Sequence, residues 1–291
     1  MTHHSRLALF ALVPALCLSF AVYAGDKPMA TPSAAAIVAP PSAASQLDLA
    51  IAGAWRNPKN AARDQYRHPK QTLEFFGVAS TQTLIEITPG GGWYSEILAP
   101  LLKDHGTYIA ALAKPGKPDG EAAQDKSGLA VKFAADAAHF GNAKTIQFDP
   151  KAPVFGAPGS ADIVLTFRNV HNWVMAGTTT AMFKGFYNVL KPGGVLGITD
   201  HRAPAGPATD GKHGYLTEQQ VIDYATAAGF TLVGRSEINA NPKDRKDYPD
   251  GVWTLPPTLQ LGEKDKAKYL QIGESDRMTL KFVKPPIEAR R

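Results

Sequence analysis

LIEITPGGGWYSEIL, residues 84–98, is the stretch that decides the fold. Its short apolar start is typical of a buried strand, and the run TPGGG that follows is a turn signal. The residues after Gly92 continue as a helix. Glycine in such a turn lets a ligand approach the backbone, and the unpaired amides at a helix start favour an anionic group. The stretch therefore predicts a strand, a tight turn and a helix, with room for a ligand at the turn.

Strands and helices alternate on both sides of this stretch. The pattern predicts strands at 83–87, 107–112, 145–148, 161–167, 194–199, 230–236 and 277–283, and helices at 49–55, 69–76, 93–102, 121–139, 176–190 and 217–228. Such alternation is typical of parallel β-α-β units, whose ligands bind at the carboxyl ends of the strands. The last two strands lack an intervening helix pattern and are expected to pair as a hairpin at the sheet edge. We predict an α/β fold with a doubly wound, mostly parallel seven-stranded sheet and an antiparallel last strand.

The composition is that of a soluble globular protein. The 291 residues are 44% hydrophobic and 20% charged, and 31 basic against 26 acidic side chains give a net charge of +5. The basic residues form no stripe, so no nucleic-acid partner is expected. The single cysteine, Cys17, lies in the N-terminal apolar run, so neither a disulfide nor a cysteine metal site is expected in the remainder of the chain.

The N-terminus has the pattern of an export signal. Arg6 precedes an apolar run from Leu7 to Val22, and small residues stand three before and one before a cut after Ala24. Residues 1–24 are predicted to be a signal peptide, which gives a periplasmic or secreted protein with no stable membrane anchor. The alternative is a retained anchor helix, although the run is shorter than the roughly 20 residues of a membrane span. Residues 25–45, rich in Ala, Pro and Ser, are predicted to be a flexible linker before a domain at 46–286.

Four further segments place the chain beside a known family. They are the strand at 160–165, the turn LKPGGVL at 190–196, the junction AAGF at 227–230, and RNVHNW at 168–173. With the glycine turn they occur in the order found in class I S-adenosylmethionine-dependent methyltransferases, and they cover about residues 73–285. The chain resembles that class, and within it a family of exported bacterial methyltransferases.

The resemblance implies that S-adenosyl-L-methionine binds across the strand ends. Glu86 would lie at the amino-acid end of the cofactor, and the glycines of the turn would let the cofactor pass. Phe148 and Asp149 would lie near the adenine. Arg168 and Asn169 would face the amino-acid moiety or the substrate. The implied cofactor-binding residues are Glu86, Gly90, Gly91, Gly92, Phe148, Asp149, Arg168 and Asn169.

A second group of polar residues follows the fourth and fifth strands. His171, Asp200 and His201 are predicted to converge there as catalytic residues, with a histidine as general base. Arg202 of the same group is predicted to contact a small-molecule substrate. In the alternative interpretation, these polar side chains cap loops and form hydrogen bonds with the backbone. A metal site is not predicted, because Asp200 and His201 are neighbours that would point apart on an extended strand.

The connection between the last two strands, residues 237–276, is long enough to cover the ligand cleft. We predict a lid in which Tyr248 and Trp253 contact substrate, and the alternative is a surface loop stiffened by proline. Before the first strand, Arg63, Arg67 and His68 are predicted to lie on a solvated helix face, and the alternative, taken from related folds, is that they reach the cofactor cleft.

Two functions from different classes fit this sequence. The first is methyl transfer from S-adenosylmethionine to a small acceptor. The second is an exported binding protein that keeps the fold without catalysis. This second function is favoured by Thr88, which replaces the first glycine of the family loop, and by the end of the second strand, residues 110–113, which has no acid for the ribose hydroxyls. A dinucleotide oxidoreductase would need an acid there too, and is a more distant third.

Overall fold

The computed structural model describes residues 43–114 and 128–286, with the side chains of residues 43–45 left aside. The predicted signal peptide with its cut after Ala24, Cys17 and nearly all of the predicted linker lie outside these residues. The same holds for residues 121–127 of the predicted fourth helix. Every described residue from Ala43 onward lies in one contact unit of the chain, Pro41–Arg291.

The sheet has seven strands in the order β3-β2-β1-β4-β5-β7-β6. The pairs β1–β2, β1–β4, β2–β3 and β4–β5 are parallel, and β7 is antiparallel to both β5 and β6. The strands are β1 (Thr83–Ile87), β2 (Thr107–Ala113), β3 (Lys144–Phe148), β4 (Ala161–Phe167), β5 (Leu190–His201), β6 (Thr231–Ser236) and β7 (Arg277–Val283). The predicted doubly wound sheet with an antiparallel last strand is confirmed, but β7 lies inside the sheet and β6 forms the edge.

Helices cover both faces of the sheet. They are α1 (Ala43–Ile51), α2 (Pro58–Ala61), α3 (Asp64–Arg67), α4 (Pro69–Phe76), α5 (Ser95–Leu102), α6 (Leu129–Ala135), α7 (Ala137–Phe140), α8 (Val170–Ala176), α9 (Thr179–Val189), α10 (Glu218–Ala227) and α11 (Lys266–Ile272). Alternate residues of β1 divide between two cores: Ile85 and Ile87 pack with α8, α9 and α10, and Leu84 packs with α1, α4 and α5. This alternation is why each face of the sheet needs its own helix layer.

Most predicted elements match the structure within a few residues. The hydroxyl of Thr217 accepts the N–H of Gln220 at 3.2 Å, which confirms the predicted cap of α10. The Gln220 side chain bonds Thr209 instead of returning to the cap. Sequence patterns missed the short helices α2 and α3, the helix α8 directly after β4, and α11 in the last connection.

The connection from β6 to β7 is an ordered layer over the carboxyl ends of the strands. It contains a 3-10 turn at Gly251–Thr254 and the helix α11. The hydroxyl of Tyr215, which precedes α10, donates to the Asp244 carboxylate at 3.0 Å and ties this layer to the sheet. Among the residues that the structure describes, no helix is both long and apolar enough to cross a membrane.

Candidate active site

Two cavities adjoin at the carboxyl ends of β1, β4 and β5. The glycine-turn cavity measures about 230 Å³. It is lined by the ends of β1 and β4, the residues that follow them, and residues of the segment 60–67: Asn60, Arg63, Arg67, Glu86, Thr88, Pro89, Gly90, Gly91, Trp93, Tyr94, Phe167, Arg168 and Asn169. The neighbouring strands β1 and β4 bring these distant segments together, as expected where the strand order reverses.

The turn after β1 leaves the floor of this cavity open. A Cβ added to Gly90 or Gly91 would meet no atom within 4 Å, whereas one on Gly92 would lie 2.5 Å from Leu129. Gly92 is therefore needed for packing, and it does not line the cavity. Thr88 has a left-handed φ of 49°, a conformation that costs a β-branched residue energy. Its hydroxyl is buried and has no hydrogen-bond partner among the described residues.

Glu86 is a buried acid at the base of the cavity. Its carboxylate accepts hydrogen bonds from the Tyr108 hydroxyl at 2.6 Å and the Ser95 hydroxyl at 3.2 Å. Burial raises the pKa of Glu86 to about 7, although both hydrogen bonds act in the opposite direction. Near neutral pH the group therefore gains a proton readily, and a cation in the cavity would favour its charged form.

Arginines from the segment before α4 supply positive charge on the opposite wall. Arg63 Nε and Arg67 Nε lie 2.7 and 3.3 Å from the Glu274 carboxylate, and Arg277 Nη1 lies 3.1 Å from it. The Arg67 guanidinium also lies over the Trp93 ring, 4.7 Å from its centroid. Burial alone would raise the pKa of Glu274, but the three guanidiniums lower it to about 2.

These contacts do not use all of the arginine donors. The Nη2 groups of Arg63 and Arg67 are buried and have no hydrogen-bond acceptor in the described part of the chain. Buried donors without partners are rare in proteins, because each one costs free energy. The cavity is therefore suited to a ligand that carries an oxyanion.

The second cavity, which we call the histidine cavity, measures about 180 Å³. It is lined by residues after β4, the end of β5 and the connection before β7: Arg168, His171, Asn172, His201, Val252, Trp253, Pro256, Pro257, Thr258, Glu274 and Ser275. The Trp253 ring stands edge-on to His171, with ring centroids 6.1 Å apart. The predicted lid thus supplies one wall of this cavity.

Asp200 fixes the orientation of His171. Its Oδ2 accepts the backbone N–H groups of Val170 and His171 at 2.7 and 3.3 Å, which caps the start of α8. Its Oδ1 lies 2.9 Å from His171 Nδ1 and accepts the N–H of His201 at 2.8 Å. With Nδ1 donating to Asp200, Nε2 of His171 is the proton acceptor of the ring.

His201 stands beside this pair, with its ring centroid 5.2 Å from that of His171. Its Nδ1 lies 2.5 Å from the Ser275 hydroxyl. Burial, followed by the charges of His171 and Arg168, lowers the pKa of His201 well below its usual value. His201 is thus neutral at physiological pH.

Three potential metal ligands, His171, Asp200 and His201, lie close together. We expected Asp200 and His201 to point apart, yet ligand atoms of His171, Asp200 and His201 all lie within 4.8 Å of one another. The Asp200 side chain bends back because it accepts the N–H of His201. Both Asp200 oxygens already accept two donors each, so this carboxylate is better suited to orienting His171 than to holding an ion.

Arg168 forms the wall that the two cavities share. Its left-handed φ of 62° is held by a hydrogen bond from its N–H to the Thr199 carbonyl at 2.7 Å. Asn169, the next residue, donates to the carbonyl of Ile87 at 2.9 Å and so ties the end of β4 to the glycine turn. Arg168 lines both cavities, and Asn169 lines the glycine-turn cavity.

Comparisons with known proteins agree with this architecture. The structure is similar to that of a SAM dependent methyltransferase from Aquifex aeolicus, at 14% sequence identity and a TM-score of 0.52, over 83% of this chain and 98% of that one. It is also similar to the cyclase SpnF, at 15% identity and a TM-score of 0.56, over 84% of this chain and 94% of that one. The protein has a methyltransferase fold. No protein-family model and no curated protein sequence matches the chain.

This methyltransferase fold keeps several predicted residues away from both cavities. Phe148 packs on Phe155 in the core, and Asp149 is exposed and accepts the N–H of Lys151. The guanidinium of Arg202 pairs with Asp276, Glu237 and Glu218, and it lines a cavity beside α10 instead of the histidine cavity. Tyr248 packs against Tyr269 within the lid layer. Arg202 and Tyr248 were expected to contact substrate, and their side chains are committed to these structural contacts instead.

The arginine wall corresponds to the alternative that the sequence did not favour. Arg63, Arg67 and His68 were expected on a solvated face, and for Arg67 this was wrong, since its side chain is 3% exposed. The spacing of Arg63 and Arg67, one helical turn apart, was the available signal. Glu274, which holds both of them, lies 207 residues beyond Arg67, and no local pattern connects such distant groups.

Proposed function

We propose that this protein is an S-adenosylmethionine-dependent methyltransferase. The methionine moiety of the cofactor would occupy the glycine-turn cavity, and a small acceptor would occupy the histidine cavity. The observation that carries the proposal is the shared wall at Arg168, because two ligands in adjoining cavities meet at that wall. Bringing two reactants together in this way supplies much of the rate of a group transfer.

The glycine-turn cavity fits the charges of a methionine moiety. The unused Nη2 donors of Arg63 and Arg67 suit its carboxylate, and the Thr88 hydroxyl offers a further donor. The Glu86 carboxyl suits its ammonium group, which would favour the charged form of Glu86. Gly90 and Gly91 leave the backbone accessible.

The histidine cavity supplies a proton acceptor. S-adenosylmethionine, when bound, supplies the methyl group. His171, held through Nδ1 by Asp200, would take the acceptor's proton at Nε2. His201 and the Trp253 ring would shape the cavity and limit the access of water. Trp253 is the one predicted lid residue for which we keep a substrate role.

The second function, a binding protein without catalysis, is favoured by a specific observation. β2 ends at Ala113, and residues 110–113 offer no carboxylate for the ribose hydroxyls. The likeness to a cyclase also illustrates that this fold serves more than one purpose. The two functions differ in whether bound cofactor is turned over.

Calorimetry with S-adenosylmethionine and S-adenosylhomocysteine on residues 25–291 tests the proposal. We expect both to bind, and Arg67→Gln to weaken binding by roughly ten- to a hundredfold, the worth of a charged hydrogen bond. Arg245→Gln is the matched control, because Arg245 is exposed and its one ion pair among the described residues is with exposed Asp247. Absence of binding by both ligands would remove the enzyme proposal. Binding without formation of S-adenosylhomocysteine from any small acceptor would leave the binding protein.

We also propose that the protein is exported and that Ala24 is the last residue removed. The apolar run before Ala24 supports this. Mass spectrometry of the protein from the periplasmic fraction should give a chain beginning at Gly25. A chain that keeps the first 24 residues in the membrane fraction would support the anchor helix instead.

A further inference from the structure

We propose that the histidine cavity takes a small acceptor bearing a carboxylate, and that the unpaired guanidinium of Arg168 selects it. The inference rests on the proposed function, because it names the acceptor class of that same site. It concerns the charge of the acceptor, about which the fold says nothing.

Arg168 is the arginine of the site without a partner. Its side chain makes no hydrogen bond and no ion pair with any described residue, and its Nε is buried without an acceptor. Its backbone is held in a left-handed conformation at the junction of the cavities. Strain of this kind persists where the surrounding structure imposes it, and it is common at ligand sites.

The charged groups around Arg168 leave it uncompensated. Arg63, Arg67 and Arg277 share the single carboxylate of Glu274, at 2.7 to 3.3 Å. The carboxylate oxygens of Asp200 accept hydrogen bonds from the start of α8, the His171 ring and the His201 N–H.

Glu86 is the remaining acid near these arginines, and its hydrogen bonds run to Ser95 and Tyr108. Four guanidiniums, including that of Arg168, therefore lie near three acids. Glu274 is already ion-paired, the hydrogen bonds of Asp200 are all made, and Glu86 is readily protonated. The positive charges around His201 act in the same sense, since they add to the effect of burial in lowering its pKa.

A carboxylate is the ligand group that best suits this surplus. A guanidinium binds a carboxylate through two parallel hydrogen bonds, which gives orientation as well as energy. An ammonium acceptor would meet the unpaired charge of Arg168 and would be disfavoured. Val252, Trp253 and Pro256 form an apolar wall of the cavity, and a volume of about 180 Å³ admits a small organic acid.

Arg168 is not needed for the cofactor carboxylate. Arg63 and Arg67 line the glycine-turn cavity alone and hold unused Nη2 donors. Arg168 also reaches the histidine cavity, where it is the arginine among the lining residues. When cofactor and acceptor are both bound, the cofactor carboxylate would thus pair with Arg63 and Arg67, and the acceptor carboxylate would pair with Arg168.

Matched pairs of small molecules test the inference on residues 25–291 saturated with S-adenosylhomocysteine. The probes are 4-hydroxybenzoate with 4-hydroxybenzamide and propionate with propionamide, with binding measured by ligand-observed NMR. We expect each carboxylate to bind at least about tenfold more tightly than its amide, the worth of one charge-assisted hydrogen bond. Arg168→Gln should abolish the preference, Arg168→Lys should restore part of it, and Arg245→Gln should change neither the preference nor the affinity for S-adenosylhomocysteine.

Equal binding of acids and amides by the wild-type protein, or no binding of any probe, overturns the inference. So does a loss of S-adenosylhomocysteine affinity in Arg168→Gln with the carboxylate preference intact. The wild-type comparison decides the matter even if Arg168→Gln fails to fold. If the protein binds the cofactor but shows no preference for carboxylates, the inference fails and the proposed function stands. If it shows a carboxylate preference that depends on Arg168 but binds no cofactor, only the proposed function fails.

Discussion

The arginines of the glycine-turn cavity have unused donors, whereas the histidines of the histidine cavity are held by a buried carboxylate whose hydrogen bonds are all made. In the first, Arg63 and Arg67 keep Nη2 groups without partners. In the second, Asp200 accepts four donors, and His201 is paired with Ser275. The first wall gains its missing bonds only when a ligand arrives. His171 of the second cavity is oriented beforehand by Asp200, as a proton acceptor must be.

The largest expected effect lies in the histidine cavity. Asp200→Ala removes the acceptor of three backbone N–H groups and of the His171 ring, all buried. We expect a loss of at least about 4 kcal/mol in the free energy of unfolding, measured by urea denaturation. Asp223→Ala, at an exposed position on α10, should cost under about 1 kcal/mol. A similar small loss in Asp200→Ala would show that these bonds are not kept in solution.

Glu274→Gln tests the acid that pairs with Arg63 and Arg67 of the glycine-turn cavity and lines the histidine cavity. The pKa of Glu274 is lowered to about 2, below that of the unfolded chain, so its stabilising contribution is present above about pH 4.5 and is lost as the pH falls towards 2. We expect the variant to be less stable by about 3 kcal/mol at pH 7, with the difference disappearing near pH 2. A stability difference that does not change with pH would contradict the ion-pair interpretation.

Glu86→Gln should act in the opposite direction. The pKa of Glu86 is raised to about 7, so the folded protein keeps a proton that the unfolded chain loses above about pH 4.5, and stability falls as the pH rises from there to 7. The variant should be more stable than the wild type by about 2–3 kcal/mol at pH 8 and equal to it at pH 4. Its affinity for S-adenosylhomocysteine should fall, because the ammonium group loses its counter-charge. Unchanged affinity would place the cofactor's amino group elsewhere.

The smallest effect is expected at the turn itself. Thr88→Gly relieves the left-handed backbone of a β-branched residue, so it should stabilise the protein by about 1 kcal/mol in thermal unfolding. Thr88→Ala is the control that removes the unpaired hydroxyl and keeps the Cβ. If Thr88→Gly destabilises the protein while Thr88→Ala does not, the strain at this position is not what the φ angle indicates.

The sequence by itself determined the architecture and the position of the turn. The strand at 83–87, the cap at Thr217 and the antiparallel last strand follow from local patterns of burial and hydrogen bonding, and each was predicted. The placement of Arg168 and His171 at adjoining cavities also followed, because the carboxyl ends of parallel strands meet at one edge.

Only the tertiary structure decided how the site is charged and closed. Arg67 is buried because Trp93 and Glu274, 26 and 207 residues away, converge on it, and Asp200 turns back because α8 presents unpaired N–H groups to it. Arg202 and Tyr248 were predicted to contact substrate, and the structure shows their contacts with Asp276 and Tyr269, which no sequence pattern indicated. A polar side chain can reach several possible partners, and its neighbours in the sequence do not determine which of them it contacts. Packing between distant segments determines the partner, because a buried donor or charge must be satisfied by a group that the fold brings within reach.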